Sequence, residues 1–293
     1  MLYLIATILL NILLFVFFKL FPKYKIDTLQ AIVFNYITCV ITGSLFIGSF
    51  PVNRNSLSEP WAPWALLMGV CFISLFNLIG YCTKKEGITA TTIANKLSLV
   101  IPVLFSVFLY DEDLRAGKIV GILLAVPAVY LSTRRPEEAG KAKHLWLPAL
   151  LFAGSGLLDT LVKYVEQTFL EDPASQAVFT IHCFAVAATI GSLIVAGLLI
   201  SGKRNWSWRN VLAGVLLGIP NYFSIYCLIR LLHSDFMQSS AAIPVNNIGI
   251  VLLSTVVAVL FFKEGMSRQK LAGIGLSLIA ILLIALSDIY GFF

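Results

Sequence analysis

Arg134-Arg135-Pro136-Glu137-Glu138-Ala139-Gly140-Lys141-Ala142-Lys143 is the most polar stretch of this 293-residue chain, and it stands between two sets of apolar runs. Its Pro and Gly break a helix and its charges hold it in water. Upstream lie five runs of membrane-spanning length, at about 2–21, 28–50, 62–83, 88–109 and 117–133. Five more follow downstream, at about 145–165, 174–200, 209–231, 236–262 and 270–289. With 59% hydrophobic and 12% charged residues, the chain has more apolar surface than one aqueous core can hide. Lipid is therefore the expected solvent. In hydrocarbon every backbone polar group needs a partner inside the protein, and strand-like alternation is absent, so the spans are read as helices. The expected fold class is an all-α integral membrane protein with ten transmembrane helices.

The formal charge of +6 does not point to nucleic acid, because the Lys and Arg residues are scattered through short connections and form no basic tract. Cys39, Cys71, Cys82, Cys183 and Cys227 all fall inside apolar runs with no metal-ligand spacing, which predicts reduced thiols and no metal or other cofactor. Asn11 and Lys19 interrupt the first run and no small-residue cleavage site follows it, so it is expected to be retained as a helix.

The two halves echo each other. Asp111-Glu112-Asp113-Leu114 with Lys118 and Gly121 joins the fourth and fifth runs, and Lys263-Glu264-Gly265 with Lys270 and Gly273 joins the ninth and tenth. Gly69, Tyr81 and Cys82 match Gly214, Tyr226 and Cys227 at a common spacing, and Asn95 then aligns with Asn247. An odd number of spans per half turns the copies over, which predicts two five-helix inverted repeats, residues 1–140 and 141–293, in one membrane domain.

Ser98-Leu-Val-Ile-Pro102, the acidic turn with Glu112 and Leu114, and Gly117-Lys-Ile-Val-Gly121 resemble the drug/metabolite transporter superfamily, specifically its ten-helix EamA-like branch. The second half repeats the pattern less fully, in Asn246 to Phe262, Lys263-Glu264-Gly265 and Leu271-Ala-Gly273, with Pro244 earlier in its helix than Pro102. The resemblance implies transport but leaves the cargo open, since such proteins carry amino acids, nucleotide sugars, sugar phosphates and organic cations.

Polar residues within the spans nominate the site. Lys96 sits mid-helix with no carboxylate at i±3 or i±4, on one arc with Thr91, Thr92, Asn95 and Ser98. An ammonium there costs about 3 kcal/mol on insertion scales, so Lys96 is expected to face the bundle. It serves as counter-charge to an anionic or zwitterionic cargo, as a group that releases a proton on desolvation, or as the partner of a carboxylate such as Asp159. Asn246 and Asn247 offer amides on the ninth helix, beside Ser239, Ser240 and Ser254, where interhelical packing is the competing role. Asp159 and Lys163 have the i,i+4 spacing of an intrahelical ion pair, yet Asp159 lies deeper and is also a proton or cation site candidate, with Asn11 at a similar place in the other half. Asn77 and Tyr81 share a face with Ser74 and Lys84, and Tyr222 and Tyr226 share one with His233, with Asn221 nearby, as candidate cavity walls. Those near helix ends are read first as interfacial anchors. His182 is a candidate proton relay or a satisfied interhelical hydrogen bond.

Gly117/Gly121 and Gly214/Gly218 have small-xxx-small spacing and predict close helix packing. No P-loop, dinucleotide fingerprint or nucleophile elbow is present, so transport is expected to run on gradients or exchange. The leading expectation is a secondary transporter of a small polar or amphipathic metabolite in a bacterial cytoplasmic membrane, with the bilayer and the metabolite as partners and possible proton or cation coupling. The alternatives are a membrane-embedded enzyme acting on a lipid-linked substrate and a non-transporting partner subunit. The connections after the odd-numbered spans hold 15 Lys and Arg residues against 4 on the other side, which places both termini outside, whereas the resemblance implies termini inside. The sequence does not fix the oligomeric state.

Overall fold

The computed structural model describes residues 1–53, 56, 58–110, 116–133, 146–170, 172–232, 234 and 239–290, with side chains throughout these except 106–110, 173, 239–241 and 288–290. The Arg134–Lys143 boundary, the Asp111–Leu114 turn, His233 and the side chains of Ser239 and Ser240 lie outside the described residues. Eleven helices follow in order among the described residues. They are α1 (Leu2–Leu20), α2 (Thr28–Ile47), α3 (Ala62–Glu86), α4 (Ile88–Leu97), α5 (Val100–Tyr110), α6 (Ala116–Thr133), α7 (Trp146–Phe169), α8 (Pro173–Ile200), α9 (Trp208–Leu232), α10 (Ser239–Phe262) and α11 (Arg268–Tyr290).

Among the described residues, nine helical stretches are long and apolar enough to cross a membrane, α4 and the start of α5 counting as one. The remaining long helix, α7, has 24 residues and carries Asp159, Lys163 and Glu166. Exposed residues such as Leu45, Leu123, Leu193 and Leu260 coat the outside, which suits a hydrocarbon solvent. The all-helical, multi-pass architecture read from the sequence is the one observed.

The fourth span differs from the single helix over 88–109 expected from hydropathy. Pro102 has no N–H to give the Ser98 carbonyl, which would be its i−4 acceptor. That carbonyl instead accepts from the Ile101 N–H at 2.9 Å, and Ser98 Oγ closes back on the Asn95 carbonyl at 2.5 Å. The tightened turn separates α4 from α5. Pro127, Pro220 and Pro244 stay within unbroken helices.

α6 lies along α11 and α2 along α9, while α8 packs on both α2 and α3. α1 packs on α9 and α10, α7 on α3 and α4, and α10 on α4. Phe18, Ile32, Tyr36, Phe184 and Leu217 form the buried centre where α1, α2, α8 and α9 meet. The α2–α9 seam depends on Gly214: a Cβ there would stand 2.3 Å from Phe34 Cβ and 2.6 Å from the Ala31 carbonyl oxygen. Backbone is what it would strike, so relief requires moving a helix. Gly214→Ala is expected to destabilise the protein by about 1–3 kcal/mol, the usual cost of overpacking. Thermal unfolding in detergent should show the loss, and an unchanged midpoint would contradict this account of the seam.

Candidate functional site

A half-open cavity of ≈ 230 Å³ lies between α1, α2, α3, α4, α7, α8 and α9. Its polar residues come from the middles of spans: Asn11 on α1, Asn95 at the end of α4, Ser155 and Asp159 on α7, and Asn221 and Ser224 on α9. Its apolar wall is aromatic, with Phe15 and Phe18 on α1, Tyr36 on α2, Phe72 and Phe76 on α3, and Phe184 on α8. The rings brace one another, Tyr36 lying 5.7 Å from both Phe76 and Phe184 by centroid, and Phe18 5.3 Å from Phe76. The Tyr36 hydroxyl is satisfied by donating to the Phe72 carbonyl at 2.8 Å, which fixes the ring as a wall.

The polar end is a network across three helices. Asn11 donates from Nδ2 to the Thr7 carbonyl at 2.9 Å, which turns its Oδ1 toward α4, where Lys96 Nζ donates to it at 3.5 Å. Asn95 donates to Ser155 Oγ at 3.0 Å and so ties α4 to α7. Ser98 Oγ lies 3.4 Å from Asp159 Oδ2, its one proton shared with the nearer Asn95 carbonyl, and the Asp159 carboxylate and the Lys96 ammonium attract each other. The side chain of Asp159 is nonetheless accessible from the cavity.

The break in the fourth span supplies part of this chemistry. The C-terminal end of α4, where helix carbonyls lose their intrahelical donors, falls beside Lys96, and such an end favours positive charge. Asn247 Nδ2 reaches the Lys96 carbonyl at 3.5 Å from α10, filling one of those vacancies. Lys96 itself is half-buried and does not line the cavity; it stands behind Asn11 and Asp159.

Of the residues nominated from sequence, Asn11, Asn95, Asp159 and Asn221 meet at the cavity. Lys96 and Asn247 form the layer behind it. Asn246 is buried on α10, and its Oδ1 has no hydrogen-bond partner among the described residues. The others go elsewhere. Asn77 donates to the Ile73 carbonyl and, with Tyr81, lines a separate groove on another face of α3. Tyr222 and Tyr226 pack around Phe46 of α2, His182 packs on Trp61 with Nδ1 2.8 Å from the Val178 carbonyl, and Lys163 lies one turn beyond Asp159, off the cavity wall. Sequence reasoning missed Ser155, Ser224 and the whole aromatic wall. Ser155 lies one helical turn before Asp159 on the same face as Lys163 and Glu166, which is the signal that could have nominated it; a Phe within an apolar helix carries no such signal.

The EamA-like transporter family profile matches residues 2–134. An uncharacterized protein of Haemophilus influenzae strain Rd is 30% identical over 289 residues, 95% of each chain. A crystal structure shares the fold, with a TM-score of 0.59 and 17% identity over 96% of this chain and 98% of that one. The chain belongs to the EamA-like transporter family, whose helices here converge on an aromatic cavity with a carboxylate at its polar end.

Proposed function

We propose that the protein is a secondary transporter that moves a small amphipathic metabolite, zwitterionic or anionic, across a bacterial cytoplasmic membrane by alternating access. The observation that carries the proposal is the cavity itself: aromatic on one side, amide and carboxylate on the other, and built from the middles of the spans. Aromatic walls take an apolar body, while Asn11, Asn95 and Asp159 orient a polar end. A zwitterion fits best, its ammonium meeting Asp159. Asp159, charged and accessible from the cavity, is the group for proton or cation coupling.

Helix pairing supports the inverted-repeat reading of residues 1–140 and 141–293. With α4 and α5 counted as the fourth of ten spans, exchanging span n with span n+5 converts α2–α9 into α3–α8 and α1–α10 into α4–α7. The same exchange leaves the α6–α11, α2–α8 and α4–α10 pairs in place. Such a pairing pattern lets the halves trade conformations around a central site.

Counterflow into liposomes loaded with pooled candidates tests the function. Zwitterions of amino-acid size with apolar side chains are expected to exchange at least tenfold faster through the protein than through empty vesicles, and faster than sugar phosphates. If no metabolite class exceeds the vesicle background, the transport assignment fails.

A further inference from the structure

A second concavity, ≈ 680 Å³, opens where the α1–α2 turn, the later part of α3 and the α8–α9 turn converge. It is separate from the central cavity: Phe72, Phe76 and Ile79 of α3 face that cavity, whereas Asn77, Gly80, Tyr81 and Lys84 face this groove. Its charged residues are Lys25, Lys84 and Arg204 against the single carboxylate of Asp27.

That carboxylate is already committed. Asp27 caps α2 by accepting from the Gln30 N–H at 3.1 Å, and its second oxygen is paired with Arg204. The corner around it is fixed by further bonds: Asn210 Oδ1 accepts the Asp27 N–H at 3.0 Å, Asn210 Nδ2 donates to Gln30 Oε1 at 2.9 Å, and Gln30 Nε2 donates to the Asn205 carbonyl at 2.9 Å. Arg204 is therefore held in place with guanidinium donors to spare. Lys25 and Lys84 have no side-chain partner among the described residues. Lys25 also sits in the left-handed region, at φ 53°, on the turn that closes α1, a place where glycine is the easier residue.

The groove is not charged throughout. From Lys84 it descends along α3 to Asn77, seven residues and so about 10 Å toward the bilayer interior at ~1.5 Å per residue. Ile26, Leu29 and Gly80 line this descent, with Tyr81 at the rim. Tyrosine and snorkelling lysine mark the headgroup level of a membrane. A free ion would answer the cations and leave the apolar floor wet. A phosphate carrying an acyl chain answers both.

We infer that this groove is a binding site for an anionic phospholipid, the phosphate held between Lys25, Lys84 and Arg204 and the start of an acyl chain lying along Leu29 and Gly80. The site is independent of the cargo cavity and does not rest on the transport proposal. Basic pockets between membrane helices are suited to anionic headgroups, and phosphatidylcholine, whose quaternary ammonium faces the same lysines, is a poorer match.

The test uses the full-length protein in detergent micelles titrated with phosphatidylglycerol, phosphatidylcholine or inorganic phosphate, read by native mass spectrometry and thermal midpoint. Wild type is expected to retain phosphatidylglycerol at least tenfold better than phosphatidylcholine and to gain thermal stability only from the former. Lys25→Gln and Lys84→Gln are each expected to weaken retention about fivefold, and the pair together to remove the preference. Lys84→Arg should keep it, and so should Lys203→Gln, an exposed charge outside the groove. Equal retention of both lipids by wild type overturns the inference. So does a preference that survives in the double variant, or inorganic phosphate at millimolar concentration displacing phosphatidylglycerol, which would make the site one for a free phosphate.

Discussion

Replacing Asp159 by Asn is expected to reduce transport by about a hundredfold and to destabilise the protein, two effects that a second substitution separates. Asp159 is the charged group on the cavity wall, and the Lys96 ammonium stands behind it, held by Asn11 Oδ1 at 3.5 Å. Removing the carboxylate leaves that ammonium inside the bundle with an amide and the end of α4 for company. Lys96 is half-buried and Asp159 is open to the cavity, so leaving the ammonium uncompensated should cost about 1–3 kcal/mol, less than for a fully buried pair. Adding Lys96→Gln takes that charge away, so the double variant should recover most of the lost thermal stability, the coupling expected of neighbours in a double-mutant cycle. Transport should not recover, since the cargo's ammonium still has no partner. A single Asp159→Asn variant that transports at the wild-type rate would remove Asp159 from the site. A double variant as unstable as the single one would show that Lys96 and Asp159 do not compensate each other.

How much of this was legible beforehand follows from contrast. In helices made of Leu, Ile, Val and Phe, a mid-span Asn or Asp stands out, and Asn11, Asn95, Asp159 and Asn221 were nominated on that ground and meet at one cavity. The aromatic wall was invisible for the converse reason, because Phe15 or Phe184 looks the same whether it faces lipid, a neighbour or a cavity. Periodicity finds a face but does not say which way it turns. Ser74, Asn77, Tyr81 and Lys84 do share an arc of α3, yet Asn77, Tyr81 and Lys84 face the outer groove, because α1 and α8 occupy the opposite side. For Lys96 the sequence offers either a cargo counter-charge or a partner for Asp159; the structure adds Asn11, 85 residues away, and no local pattern reports such a pairing. Pro102 was visible from the start. That it divides the span, where Pro127, Pro220 and Pro244 do not, coincides with Ser98 at its i−4 position bonding back to the Asn95 carbonyl.

Glu264 is the residue whose loss should cost the fold most. It sits in the turn between α10 and α11, is almost wholly buried, and binds three separate parts of the chain. Its Oε1 accepts the Ile88 N–H at 2.6 Å at the start of α4, and Lys19 Nζ at the end of α1 lies 3.6 Å from the same oxygen. Its Oε2 takes Thr89 Oγ and Lys270 Nζ, each at 3.2 Å. Gly87, at φ +94°, makes the approach possible: a Cβ at that position would stand 2.6 Å from Glu264 Oε1. An anion at the N-terminus of α4 is favoured by the unpaired amides there. Burial pushes the Glu264 carboxyl up, but Lys270, the Ile88 N–H and Lys19 together hold it below the ordinary value of 4.5. A carboxyl lowered in the folded state contributes stability that is fully present above the unfolded value and is lost as pH falls through the folded one. Wild-type thermal stability in detergent is therefore expected to decline below about pH 4.5 partly through this group. Glu264→Gln keeps an acceptor for the Ile88 N–H but abandons Lys270 and Lys19, and should cost about 3–5 kcal/mol at neutral pH. The difference between variant and wild type should shrink as the pH is lowered through the acidic range, because protonation makes the wild-type side chain neutral too. A gap that stays constant down to the acid limit would mean that the charge of Glu264 is not what ties α1, α4 and the α10–α11 turn together.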